Sequence, residues 1–197
     1  MTDAVPERVR QAFADHEAFE ESTESKGGKA GFLVTTTSFD ATVRIEASED
    51  GNGLNDSEDP SGSALRYRVL CRVPTLSAAV EGPVETVVEE GWFDTFSLRL
   101  EDAAMAVPGT TEIAGPEAHA EGGTILVEAG FEAGSAGRAT DVAKALVDYV
   151  EGTYVEGVIP GYEYRPPVSD LLASARQGGS DENGDDSATS ADGSMPM

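Results

Sequence analysis

An α+β fold, an antiparallel sheet of about five strands with helices on one face in the order α-β-β-β-α-β-β-α, follows from three observations. Residues 65–73 alternate strictly, with Leu65, Tyr67, Val69, Cys71 and Val73 on one side and Arg66, Arg68, Leu70 and Arg72 on the other. Such alternation belongs to an antiparallel sheet with one buried face. Residues 83–104 and 139–155 instead carry apolar side chains at helical spacing. Glycine- and proline-containing polar stretches punctuate all of these runs.

The chain opens with a predicted helix at 4–19, where Val5, Val9, Ala12, Phe13 and His16 share a face and Pro6 sits harmlessly in the first turn. After a polar stretch, Phe32, Val34 and Thr36 alternate, then Phe39, Ala41, Val43 and Ile45, rich in β-branched residues. Residues 48–63 read as an acidic loop with turn formers Asn52-Gly53 and Asp59-Pro60. The helix at 83–104 has a stripe of Val84, Val87, Val88, Trp92, Phe96, Leu100 and Ala103. Its Gly91 is a candidate close approach to the sheet. Strands at 111–119 and 124–132 flank the hairpin signal Glu121-Gly122-Gly123. The helix at 139–155 stops at Gly157 and Pro160. An extended segment at 161–167 and a short helix at 169–175 capped by Ser169 follow. Residues 1–175 are thus expected to form one domain, and 176–197 a disordered acidic tail.

Composition excludes several functions. Asp and Glu number 37 against 13 Lys and Arg, a net charge of -24. Such self-repulsion weakens a compact state in dilute buffer. At molar salt the Debye length falls to about 3 Å and the penalty fades, so the balance fits a high-salt cytoplasm. No basic cluster exists for nucleic acid or an anionic membrane, so neither is an expected partner. The N-terminus lacks an apolar leader and no segment is apolar enough to span a bilayer, which predicts a cytoplasmic protein.

No catalytic constellation emerges. Phosphate-binding, dinucleotide-binding and serine-elbow motifs are absent. Cys71 stands in a strand as a small buried hydrophobe, without a local His or glycine-rich elbow to make it a nucleophile. His16 reads as a packing residue and His119 as a solvated one. One Cys and two His cannot complete a zinc site without carboxylates. The stretches starting at Asp50 and Asp181 begin like calcium loops and then lose the pattern. The Asn55-Asp56-Ser57 sequon is irrelevant in a cytoplasm. No catalytic residue, metal ligand or cofactor is therefore assigned.

Two features could bind. Arg44, Arg66, Arg68 and Arg72, four of ten arginines, fall on the outward faces of neighbouring strands. They either pair with Asp40, Glu46, Glu128 and Glu132 or present a surface to a carboxylate-bearing protein or to a second copy in a homodimer. Tyr162 and Tyr164, in the Pro-rich stretch 159–167, either strap the domain or wall a groove.

The stretch Phe32–Ala47, the strand end Val73-Pro74-Thr75-Leu76, and Glu89-Glu90-Gly91-Trp92-Phe93-Asp94-Thr95-Phe96 with Arg99-Leu100-Glu101-Asp102 resemble an uncharacterised haloarchaeal protein family. That resemblance implies a haloarchaeal cytosolic protein and brings no activity with it. The order of elements is also similar to that of class I type III secretion chaperones, which implies a non-catalytic binding scaffold. The expected function is accordingly a protein-binding, adaptor or chaperone-like module, with a carboxylate-pair hydrolase as the alternative.

Overall fold

The central strand is set by the alternation that made it conspicuous. In a computed structural model, which describes residues 5–22, 31–46, 65–109 and 111–178, β4 runs over Leu65–Pro74. It lies between β3 (Asp40–Glu46) and β6 (Thr124–Ala133). Its inward residues Tyr67, Val69, Cys71 and Val73 are each 2% exposed or less. Around it the sheet has six strands in the order β1-β2-β3-β4-β6-β5, all antiparallel. The others are β1 (Phe19–Glu21), β2 (Gly31–Val34) and β5 (Ile113–Glu121).

Helices α1 (Glu7–Ala14), α2 (Leu76–Ala79), α3 (Thr86–Leu100), α4 (Ala103–Ala106) and α5 (Ala136–Glu156) pack on the inward face, and Val168 of α6 (Val168–Gly178) joins the same core. The α+β architecture with one covered face is therefore as the alternation predicts. Two aromatic groups fasten the helices down. Phe13 of α1 stacks on Phe32 at 4.7 Å and meets Phe19 edge-on, while Tyr67 stacks on Phe131 at 5.1 Å. At the other end Tyr154 of α5 contacts Phe39, Trp92 and Phe96. Such aromatic pairs add roughly 0.5–1.5 kcal/mol each beyond area burial. The Trp92 indole also donates to the Gly157 carbonyl at 2.8 Å, tying α3 to the end of α5.

Carboxylates also hold loops in place. Glu151 of α5 accepts from the Thr37 hydroxyl at 2.5 Å and the Ser38 amide at 2.8 Å, pinning the β2–β3 turn. Glu89 of α3 accepts from the Ser77 amide and hydroxyl, satisfying a free donor in the first turn of α2.

Several expectations change. The first helix ends at Ala14, because the chain turns at His16, whose ring nitrogen accepts from the Ala18 amide, and Phe19 starts β1. Strand β1 is too short to show alternation in a sequence. The predicted second helix begins at Thr86 and breaks after Leu100, and Val87 is 74% exposed, off the buried stripe. Gly91 faces solvent, and nothing lies within 4 Å of where its Cβ would be, so it makes no close approach. Gly122 and Gly123 form the expected hairpin turn, both with positive φ as a type I′ turn requires. Helix α6 starts at Val168, so Ser169 lies inside it and is no cap, and the helix continues through residues 176–178. The acidic loop at 48–63, both calcium-like stretches, the sequon and the tail beyond 178 lie outside the described residues.

Because Gly91 has a helical φ and free space, Gly91→Ala should raise unfolding free energy by about 0.5–1 kcal/mol in urea melts. Removing the Glu151 carboxylate should do the opposite: Glu151→Ala leaves the Thr37 and Ser38 donors without their acceptor and should cost about 1–3 kcal/mol in the same measurement.

Candidate binding face of the sheet

The second face of the sheet carries the arginines, because each alternates with a buried neighbour. No helix among the described residues packs on it. Register puts Glu46, Arg66 and Glu132 in one row across β3, β4 and β6, and Arg44, Arg68, Gly130 and Ala114 in the next across β3, β4, β6 and β5. Thr42, Leu70, Glu128 and Glu117 form a third row, and Asp40, Arg72, Leu126 and His119 a fourth. Leu70 is only 5% exposed on this largely polar face. Long arginine stems flanking a leucine can shield it in this way.

The four arginines divide into two pairs. Arg66 bonds Glu132 at 3.1 Å. Arg68 bonds Glu128 at 2.6 Å and reaches Glu46 at 3.4 Å. Arg68 needs both, since Arg44 stands directly opposite it and like charges in register repel. Arg44 and Arg72 are exposed and make no ion pair among the described residues, although Asp40 faces Arg72 in register. Half the patch is thus internally neutralised and half retains free cations. Exposed pairs of this kind contribute at most about 1 kcal/mol each, so stability alone does not require them.

A cleft of about 620 Å³ opens beside the paired arginines, lined by Arg66, Arg68, Gly130, Glu128 and the start of β5. Two features that the sequence reading missed shape it. Gly130 leaves its row without a side chain between Arg68 and Ala114. In β5 the register slips between Ala114 and Glu117. That bulge depends on Gly115, whose φ is 84° and whose Cβ would meet the Glu128 carbonyl oxygen at 2.9 Å. The Gly115-Pro116 pair within an otherwise alternating run was the visible signal.

Tyr162 and Tyr164 are not among the residues lining this cleft. Tyr164 bridges Val80, while Glu81 donates to the Glu163 carbonyl and Arg165 to that of Ala79, both at 2.7 Å. Its hydroxyl accepts from the Ile159 amide at 2.9 Å, and burial raises its pKa. The segment is a strap closing on the loop after α2.

The remaining candidates are occupied structurally. His119 is 70% exposed, 3.7 Å from Glu117. Cys71 is buried, and desolvation, with Glu151 adding to it, pushes its thiol from 9.0 to about 12. Burial likewise pushes the Tyr67 phenol from 10.0 to about 12, against a small opposing pull from Arg8. Among the described residues no group of three or more His, Cys, Asp or Glu could hold a metal ion. No helix among them is long and apolar enough to cross a membrane.

A single antiparallel sheet, helix-covered on one side and bearing mixed charge on a second face that no helix among the described residues covers, defines an α+β protein. The chain belongs to a family of unknown function (DUF5813), which it matches over residues 14–174. No curated protein and no solved structure matches it.

Cys71 and Tyr67 are held neutral in the fold, so their contribution is complete below their ordinary values and lost as pH rises toward the folded ones. Stability should be level to about pH 9 and fall between about 9 and 12. Tyr67→Phe should reduce the part of that fall above pH 10, to which Cys71 and the buried Tyr154 phenol also contribute, and native Cys71 should resist alkylation at pH 8 over hours.

Proposed function

We propose that this chain is a non-catalytic protein-binding module, adaptor-like or chaperone-like, whose working surface is the open face of the sheet. One observation carries the reading. Arg44 and Arg72 are exposed on that face without carboxylate partners among the described residues, in a chain of net charge -24. Uncompensated guanidiniums are uncommon where acid is in such excess, and they suit a carboxylate-bearing protein surface. The cleft's Glu128 and Glu132 are committed to Arg68 and Arg66, and its other two carboxylates, Glu112 and Glu117, are exposed, so no buried acid pair there favours the carboxylate-pair hydrolase.

We further propose that the protein works in the high-salt cytosol of a haloarchaeon. Its acid excess and its scarcity of lysine, with only Lys26, Lys29 and Lys144, support this. Exposed carboxylates keep the surface hydrated where salt would otherwise drive association, and screening removes their mutual repulsion.

Affinity capture from native cells at molar KCl, read by mass spectrometry, should yield a defined partner. The double variant Arg44→Glu, Arg72→Glu should lose it, while Arg165→Glu on the strap should keep it. Equal capture by all three proteins would remove the sheet face from this role. Thermal melts should rise by more than about 10 °C between salt-free buffer and about 2 M KCl; a salt-independent melting temperature would contradict the high-salt assignment.

A further inference from the structure

The open face is divided by charge. Its β3–β4 half carries Arg44, Arg66, Arg68 and Arg72 against Asp40 and Glu46. Its β6–β5 half carries Glu117, Glu121, Glu128 and Glu132 and neither Arg nor Lys. We propose that the partner of this face is a second copy of the chain, packed sheet to sheet about a twofold axis that runs along the strands between β4 and β6. The inference rests on the binding reading above and names its occupant.

Symmetry makes this choice specific. A twofold interface uses the same patch from both copies, so the patch must complement itself. An axis along the strands carries β3 over the partner copy's β5 and β4 over its β6, keeping the rows in register. Each positive half then covers a negative half. Arg66 meets Glu132 of the other copy, Asp40 meets His119, and Arg44 comes within one row of Glu117. Arg68 points at Gly130, where the missing side chain leaves the cleft of about 620 Å³. Among the described residues the only like-charged opposition is Glu46 against the Glu112 end of β5, at the margin of the patch. Turning the axis across the strands does worse. Arg68 would then face Arg72, and Glu128 would face Glu128. Aligned sheets cross at about 30°, so these are row-level correspondences.

Size sets the expected strength. Four strands spaced about 4.8 Å apart and about 25 Å long offer roughly 500 Å² per copy, or about 1,000 Å² in all. That is the lower bound for a specific interface, so the dimer should be reversible and concentration-dependent. Long-range repulsion between two chains of charge -24 also opposes it, so association should be stronger where salt shortens the Debye length.

Sedimentation equilibrium of the full chain at about 1 M KCl tests this, with Arg44→Glu and Glu117→Arg as variants. Both residues are exposed, and matching melts would show that the fold is kept. Each variant alone should weaken dimerisation about tenfold or more, because every substitution alters two symmetric contacts. Mixing the two should restore a heterodimer of wild-type affinity, since one interface contact is then native and the other is the same pair with its charges exchanged. A wild-type chain that stays monomeric, or variants whose mixture gains nothing, would overturn the inference. Loss of captured partner by Arg44→Glu, Arg72→Glu in a chain that remains monomeric would overturn the dimer and leave the binding reading intact.

Discussion

The structure depends on the two-residue period of β4. Because that strand is hydrogen-bonded on both edges, its register cannot slip without turning four buried side chains to solvent and three arginines into the core. Burying those guanidiniums without partners would cost several kcal/mol each, far more than any surface pair returns. The core and the arginine-bearing face are therefore two consequences of one pattern. Whatever holds Tyr67, Val69, Cys71 and Val73 inward also holds Arg66, Arg68 and Arg72 outward.

Acid plays several parts in this chain, separated by geometry. Glu151 and Glu89 reach from long helices to satisfy loop and helix-end donors. Glu46, Glu128 and Glu132 hold two of the arginines in place. Much of the remainder among the described residues is exposed. Arg44 and Arg72 stand out because neither has a carboxylate partner among the described residues, Glu46, Glu128 and Glu132 being engaged with Arg68 and Arg66.

The parts of the fold that could be read from sequence were those with a strong period. Strand β4, the β5–β6 hairpin and the long helices α3 and α5 follow from alternation, a Gly-Gly turn and apolar stripes. Strand β1 could not be read, since three residues show no period and Phe19 also suits the helix before it. Four-residue α2 and α4 are likewise too short for a stripe. Of the site, the four arginines were legible as one outward patch, but their division into paired and unpaired members depends on rotamers and cross-strand spacing. The cleft was invisible for a related reason: it is made by what Gly130 lacks and by a bulge at Gly115, and absence of a side chain has no periodic signature. The chemistry of Tyr162 and Tyr164 suited either a strap or a groove wall; the backbone bonds of their segment to residues 79 and 81 are those of a strap.

The central claim is that one sheet face is covered by helices and that on the other, among the described residues, Arg44 and Arg72 lack carboxylate partners. Arginine modification by phenylglyoxal on dilute, monomeric protein, quantified residue by residue by mass spectrometry, tests it most directly. Arg44 and Arg72 should react fastest among the four, Arg66 more slowly, and Arg68, held by two carboxylates, slowest. Protection of Arg44 and Arg72 in the monomer, or uniform rates across all four, would mean that this face is covered or differently paired, and the account would fail.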